Sequence, residues 1–382
     1  MRRVREAGAG VTTGRGRQWG RRLAFVLALF STVLLCGGWA PAAQTRRPTR
    51  RPPAPASARH APLKAIFEPV NFPQDVDISD IFFVDSEVGW ACGHRLTDGG
   101  EGGFIVATRD GGRTWSVQFG DPRSSARAFT QLHFFDATHG WATQVDGTLM
   151  RTTDGTRWTN VANVDPVSPL VFVSPERGFF LDRAQGIHRT VDGGRTWRLG
   201  NVGAPVAIAF APDNLTGYVV TRTLEERTAA ILKTTDGGET WRLTSLLRDT
   251  SVADVRLAFS DALTGYLRAG AALKMTTDGG RTWHARTAKV PYDASKVGVA
   301  GPIGWMIGSH DFSYTLDGGK RWTVRQIDFP APVVTFTVLG LDTGYVAGRR
   351  GMIYRYRIVP FDYAVPGMIT IPGMTTFAPA GS

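Results

Sequence analysis

Beyond residue 62 the hydrophobic positions fall into short runs rich in β-branched and aromatic residues, punctuated by Gly, Asp and Asn. No stretch there keeps a helical period for long, so the pattern predicts strands and turns. One unit shows the plan: VRLAFS at 255–260, a turn DALTG, then YLRAG, ALKMTT, a DGG turn and WHART at 283–287. It reads as four short strands joined by tight turns.

The unit recurs. Asp110 in TRDGGRTW, Asp154 in TTDGTRW, Asp192 in TVDGGRTW, Asp236 in TTDGGETW, Asp278 in TTDGGRTW and Asp317 in TLDGGKRW lie 44, 38, 44, 42 and 39 residues apart. Periods of this length mark propeller blades or solenoid units. A glycine followed by an aromatic residue occurs once per interval and once more after the last, at Trp90, Trp141, Phe179, Tyr218, Tyr266, Trp305 and Tyr345. Seven units of four strands predict an all-β fold, a seven-bladed β-propeller of four-stranded blades. The last unit supplies three strands and no Asp motif, and an open ring would expose two pairing edges. Residues 63–70 are therefore expected to supply the missing strand, with the Pro- and Gly-rich tail 360–382 as a competitor for that edge.

Each Asp motif falls between the third and fourth strands, where a hairpin must form. A carboxylate entering a tight turn can accept backbone N–H groups that would otherwise lack partners, and the glycines permit positive φ. The tryptophan then returns a large apolar ring to the sheet. A calcium loop would need several oxygen ligands per turn, and glycosidic acid/base work needs two converging carboxylates. Asp110, Asp154, Asp192, Asp236, Asp278 and Asp317 are accordingly read as structural, and no catalytic residue, metal or cofactor is expected.

The DGGRTW motif and its variants resemble the Asp-box, or bacterial neuraminidase repeat. Seven such units with Gly-aromatic second strands resemble the photosystem II stability/assembly factor family of secreted propellers, over residues 63–359. That resemblance implies a non-enzymatic protein that binds other proteins and assists assembly or stability of membrane complexes.

Charge changes this picture less than its total of +11 suggests. Twelve of the 44 basic residues and one of the 33 acidic ones lie within 1–62, so the rest of the chain carries 32 of each. A nucleic-acid partner is not expected of a neutral body. Residues 1–42 read as a signal peptide, with Arg21-Arg22, an apolar run from Leu23 to Cys36 and small residues at 40–42. Twin-arginine export and lipidation at Cys36 are the alternatives. Residues 43–62 read as a Pro/Arg-rich linker able to touch an anionic surface. The expected location is the periplasm or the extracellular space, or the thylakoid lumen if the source is photosynthetic. Only Cys92 remains after cleavage, which leaves no intrachain disulfide.

Just past the Gly-aromatic strands, on the face opposite the Asp hairpins, stand Arg95, Arg183, Arg222, Arg268, Arg349 and Arg350. A ring of guanidinium groups there could clamp an acidic loop or a C-terminal carboxylate of a membrane protein. The protein is expected to act as a monomer with peripheral membrane association. The alternative is an extracellular glycoside hydrolase on the same frame, such as a sialidase or a xyloglucan-cleaving enzyme. Sugar binding is disfavoured because six of the eleven tryptophans close hairpins, three follow repeat glycines and two lie in the leader, leaving none as a platform.

Overall fold

The computed structural model describes residues 62–73, 76–96, 102–120, 126–166, 169–182, 186–291 and 293–377. The expected signal peptide (1–42) and nearly all of the expected linker (43–62) lie outside the described residues. Ala58–Ser382 forms one compact unit, and every regular element described in it is a strand.

Seven antiparallel sheets form a ring. Blade 1 comprises Val76–Phe83, Gly89–Arg95, Phe104–Thr108 and Ser116–Gly120, in that order from the inside outward. Blades 2 and 3 start at Phe129–Phe134 and Val171–Phe172, blade 4 at Ala204–Phe210, and blades 5 and 6 at Val255–Phe259 and Gly298–Ala300. Blade 7 is built from Val333–Val338, Gly344–Gly348, Ile353–Pro360 and Pro62–Pro69. Successive blades meet through their first strands, except that blade 3 meets blade 4 through its second, and blade 7 meets blade 1.

A sheet covered on both faces needs apolar side chains on both, so the inner strands cannot alternate polar and apolar residues. Gly89–Arg95, Gly140–Gln144 and Gly265–Ala269 are accordingly buried along nearly their whole length. Successive side chains enter different cores. Tyr218 and Val220 pack toward blade 5, whereas Val219 between them packs toward blade 3. The described residues thus form seven cores, one at each blade interface. Fourth strands such as Ser116–Gly120 keep an exposed side and carry the polar positions.

The Gly-aromatic pair has a common mechanical role. Trp90 of blade 1 stacks on Phe134 of blade 2 at 3.7 Å, and Phe134 lies so close over Gly140 that a Cβ there would fall 2.3 Å from its ring. Trp141 on Phe172 (3.4 Å), Tyr218 on Phe259 (3.8 Å) and Tyr345 on Phe83 (3.6 Å) repeat the arrangement over Gly178, Gly265 and Gly89. Phe179 on Phe210 is looser, with centroids 5.3 Å apart over Gly217. The hairpin tryptophan of the same blade meets the phenylalanine edge-on, as Trp158 does Phe134 at 88°. Two interfaces vary. The first strand of blade 6, Gly298–Ala300, has no phenylalanine, and that blade's own Trp322 covers Gly304 and meets Tyr266 edge-on. Blade 7 has no hairpin tryptophan, and Trp305 of blade 6 lies directly over Gly344.

Pro62–Pro69 pairs with Ile353–Pro360 in continuous register from Leu63↔Pro360 to Pro69↔Tyr354, so the start of the body is the fourth strand of the last blade. Phe67 anchors it, touching Phe312, Phe329 and Tyr356 at 5.2–5.6 Å. The tail does not displace this strand but adds to it. Ile369–Phe377 pairs along its outer edge as a fifth strand, so the closing blade differs from the four-stranded expectation.

Two outcomes test this frame by urea denaturation. Gly140→Ala is expected to cost about 1–3 kcal/mol by pushing Phe134 off its seat, and combining it with Phe134→Leu should recover at least about 0.5 kcal/mol relative to additivity. A chain beginning at residue 62 should keep one cooperative transition, whereas one beginning at 71 should lose the closing strand and with it the native transition.

Candidate functional site

The hairpins lie on one face of the ring, and the turns between second and third strands lie on the other with the blade connections. In all six hairpins a threonine hydroxyl two residues before the aspartate donates to it, at 2.6–3.2 Å. In five the same hydroxyl accepts a glycine N–H at 2.8–3.0 Å. Thr114, Thr196, Thr240 and Thr282 then give the aspartate their N–H and, at 2.6 Å, their hydroxyl. Both hairpin glycines take positive φ, as at Gly237 (68°) and Gly238 (83°). Asp154 sits in the shortened hairpin and takes the N–H groups of Thr156 and Arg157, both at 2.8 Å. At Asp317, Arg321 replaces the last threonine and donates only its N–H.

These bonds favour the ionised form. The Thr114 hydroxyl, followed by its N–H, lowers Asp110 to about 2. At Asp192 and Asp278 slight desolvation works upward, and the hydroxyls and N–H groups of Thr196 and Thr282 outweigh it, giving about 2. Asp154, Asp236 and Asp317 are lowered as well, first by the Arg157 N–H, the Thr234 hydroxyl and the Arg321 N–H respectively. Acids this strong are poor proton donors near neutrality. The hairpins also receive the interblade aromatics, since Trp90 and Trp141 donate their Nε1–H to the carbonyls of Gly155 and Gly193.

Two carboxylates stand on the described first strands, Asp77 and Asp80, and both are engaged. Asp77 accepts the N–H of Arg350 at 2.9 Å. A register shift between Ile78 and Asp80 re-aims the latter. It takes the Leu132 N–H of blade 2 at 3.0 Å and the Thr335 hydroxyl of blade 7 at 2.9 Å, tying three blades together. His133 accepts the Phe172 N–H of blade 3 at 3.0 Å, and burial lowers its pKa to about 4. Lys296 is half-buried, and desolvation lowers its pKa against the pull of Asp80. Among the described residues no group of three His, Cys, Asp or Glu side chains is placed to hold a metal ion.

The arginines of the opposite face are not equivalent. Arg222, Arg349 and Arg350 are exposed. Arg183 lies outside the described residues. Arg268 does not belong with them: its side chain is 4% exposed and held by Asp254 at 2.9 Å. Its place as the fourth residue of a fully buried strand accounts for this. Arg95 pairs in register with Val76, whose carbonyl accepts the Gly351 N–H, so Arg95, Arg349 and Arg350 gather at the junction of blades 7 and 1.

A pocket of about 500 Å³ opens at the same junction. Val70, Phe72, Ala331, Met352 and Tyr354 give it apolar walls, polar atoms make up about as much of its surface, and Arg350 is its one charged lining residue. The backbone N–H of this arginine is held by Asp77, its φ is a positive 56°, and the residue is exposed. The sequence reading missed the pocket. Its walls come from opposite ends of the chain, and the one local signal is the apolar EPVNFP segment that follows the closing strand.

No family model matches the chain, and no curated protein matches it by sequence. Similarity appears among solved structures. YCF48 bound to a D1 peptide is 19% identical with a TM-score of 0.54, over 76% of this chain and 96% of that one. YCF48 from Cyanidioschyzon merolae gives 18% and 0.53, over 76% and 98%. A catalytically inactive virginiamycin B lyase from Staphylococcus aureus with quinupristin gives 14% and 0.56, over 78% and 100%. At these identities the similarity fixes the fold alone, a β-propeller, which a protein solved with a bound peptide and a lyase share.

The lowered pKa values set an acid limit. His133 is neutral in the fold, so its contribution is complete above about 6.5 and is lost as pH falls toward about 4. The hairpin aspartates lose theirs below their unfolded value near 3.8, through about 2. Urea midpoints measured from pH 7 to 2 should fall in both windows, and His133→Gln should flatten the upper window alone.

Proposed function

We propose that this protein is an exported, non-enzymatic scaffold that binds a segment of another protein on the face opposite the Asp hairpins. The observation that carries the reading is the pocket of mixed apolar and polar lining with Arg350 in its wall and Arg349 and Arg95 close by. An apolar cleft with one convergent polar group is the common form of a ligand site. Its chemistry fits an acidic loop or a C-terminus whose carboxylate meets the arginines while an apolar side chain fills the cavity.

The similarity to YCF48, solved with a D1 peptide, supports a protein partner. Engagement of both Asp77 and Asp80 in structural hydrogen bonds supports a binding role over a hydrolytic one. The leader supports export, with the arginine-rich linker available to an anionic membrane surface. Assistance in assembling or stabilising an envelope complex is the role that fits these features together, and the repeated hairpins belong to the Asp-box type.

Affinity recovery from solubilised envelope of the source organism tests the reading. Arg349→Glu with Arg350→Glu should reduce partner recovery about tenfold while shifting stability by no more than about 0.5 kcal/mol, as exposed substitutions do. Unchanged recovery would remove this pocket as the binding site.

A further inference from the structure

The hairpin face carries a second concavity that the protein-binding reading does not use. Between blades 4 and 5 a cleft of about 750 Å³ is lined by Lys233, Arg242 and Arg281. They come from the third strand of blade 4, its fourth strand and the hairpin of blade 5. None of the three has a carboxylate oxygen within 4.0 Å among the described residues. The acid that does line the cleft, Asp236, is occupied: it accepts the hydroxyls of Thr234 and Thr240 and the Thr240 N–H.

The interface one step earlier shows how the ring answers such charges. There the hairpin of blade 4 reads DGGE, and Glu239 pairs with Arg177 at 3.3 Å and with Arg189. In the next hairpin the equivalent residue is Arg281. Lys233, whose ammonium lies 5.2 Å from the centre of the Tyr218 ring and against Gly279, therefore faces another cation instead of a carboxylate. Asp213 and Asp278 act on it only at longer range, while Arg281 and burial both disfavour its charged form. Arg242 and Arg281 are exposed and free to turn their forks into the cleft.

We infer that this cleft is an oxyanion site that takes a phosphate dianion. Two guanidinium groups and an ammonium match a tetrahedral dianion, which can accept bidentate bonds from both forks. The volume leaves room for the group that carries the phosphate. A soluble phosphomonoester and a phospholipid headgroup share this chemistry.

The test is a titration of the purified protein with inorganic phosphate and with glycerol 3-phosphate at constant ionic strength held with chloride, read by thermal shift and calorimetry, alongside sedimentation with phosphatidic acid vesicles. The wild type should show saturable stabilisation that chloride does not reproduce. Arg281→Glu, which restores the arrangement at Glu239, should raise the melting temperature without phosphate and weaken phosphate binding at least tenfold. Arg242→Gln, at an exposed strand position, should weaken binding without altering the unliganded melting temperature. Vesicle binding abolished by Arg281→Glu identifies a headgroup as the source, and binding of the soluble esters alone identifies a metabolite. An absent or non-saturable response in the wild type, or a response in both variants equal to that of the wild type, overturns the assignment.

Discussion

Around most of the ring a flat aromatic side chain of one blade lies on a phenylalanine of the next, and that phenylalanine can occupy its seat only because the second strand beneath it has a glycine. A methyl group on Gly89, Gly140, Gly178, Gly217 or Gly265 would fall 2.3–2.6 Å from the ring above it. The contact joins blades that belong to separate hydrogen-bonded sheets. It also fixes their spacing, since sheets in face-to-face contact depend on side-chain volume. The hairpin tryptophan braces the same ring from the edge, so the two motifs of the repeat serve one node. The aspartate's part is to hold the hairpin that delivers the tryptophan.

Where the node lacks a member, a neighbour replaces it. Trp322 covers Gly304 where the first strand of blade 6 has no phenylalanine, and Trp305 covers Gly344 where blade 7 has no hairpin tryptophan. At the closure Asp80 binds blades 2 and 7 at once, and Phe67 seats the incoming strand among Phe312, Phe329 and Tyr356. A ring assembled from repeats has no single nucleus of burial. Its integrity depends on this join more than on any one blade.

The architecture was legible because its signals are local and repeated: turn glycines, a carboxylate at fixed offset and a strand-length apolar run recur seven or six times. The closing strand followed from counting. What local pattern could not convey was pairing between distant segments. Nothing near Ile369–Phe377 announces a fifth strand, since its partner lies at the other end of the chain. Arg268 looked like its exposed counterparts by position, but Asp254 lies in the connection before its blade and draws it inward. The candidate pocket escaped for the same reason, having one wall from residues 69–72 and another from 350–354. The charge pattern of the hairpin face was hidden by its motif, in which Glu239 and Arg281 fill the same slot with opposite signs.

The two faces divide the work that such a ring can do. Hairpins and their braces hold one side, and the connections of the other side bear the pocket at Arg350, with the closure of the ring directly beneath it. A site built on that seam requires the seam to stay shut. Native-state hydrogen exchange measures this directly, by comparing the amides of Ile66 and Phe67 with those of Val219 and Leu267 in second strands across the ring. The account predicts the same opening free energy for all four, equal to that of global unfolding. Exchange of Ile66 and Phe67 through an independent, lower-energy opening, with blades 4 and 5 still protected, would contradict it.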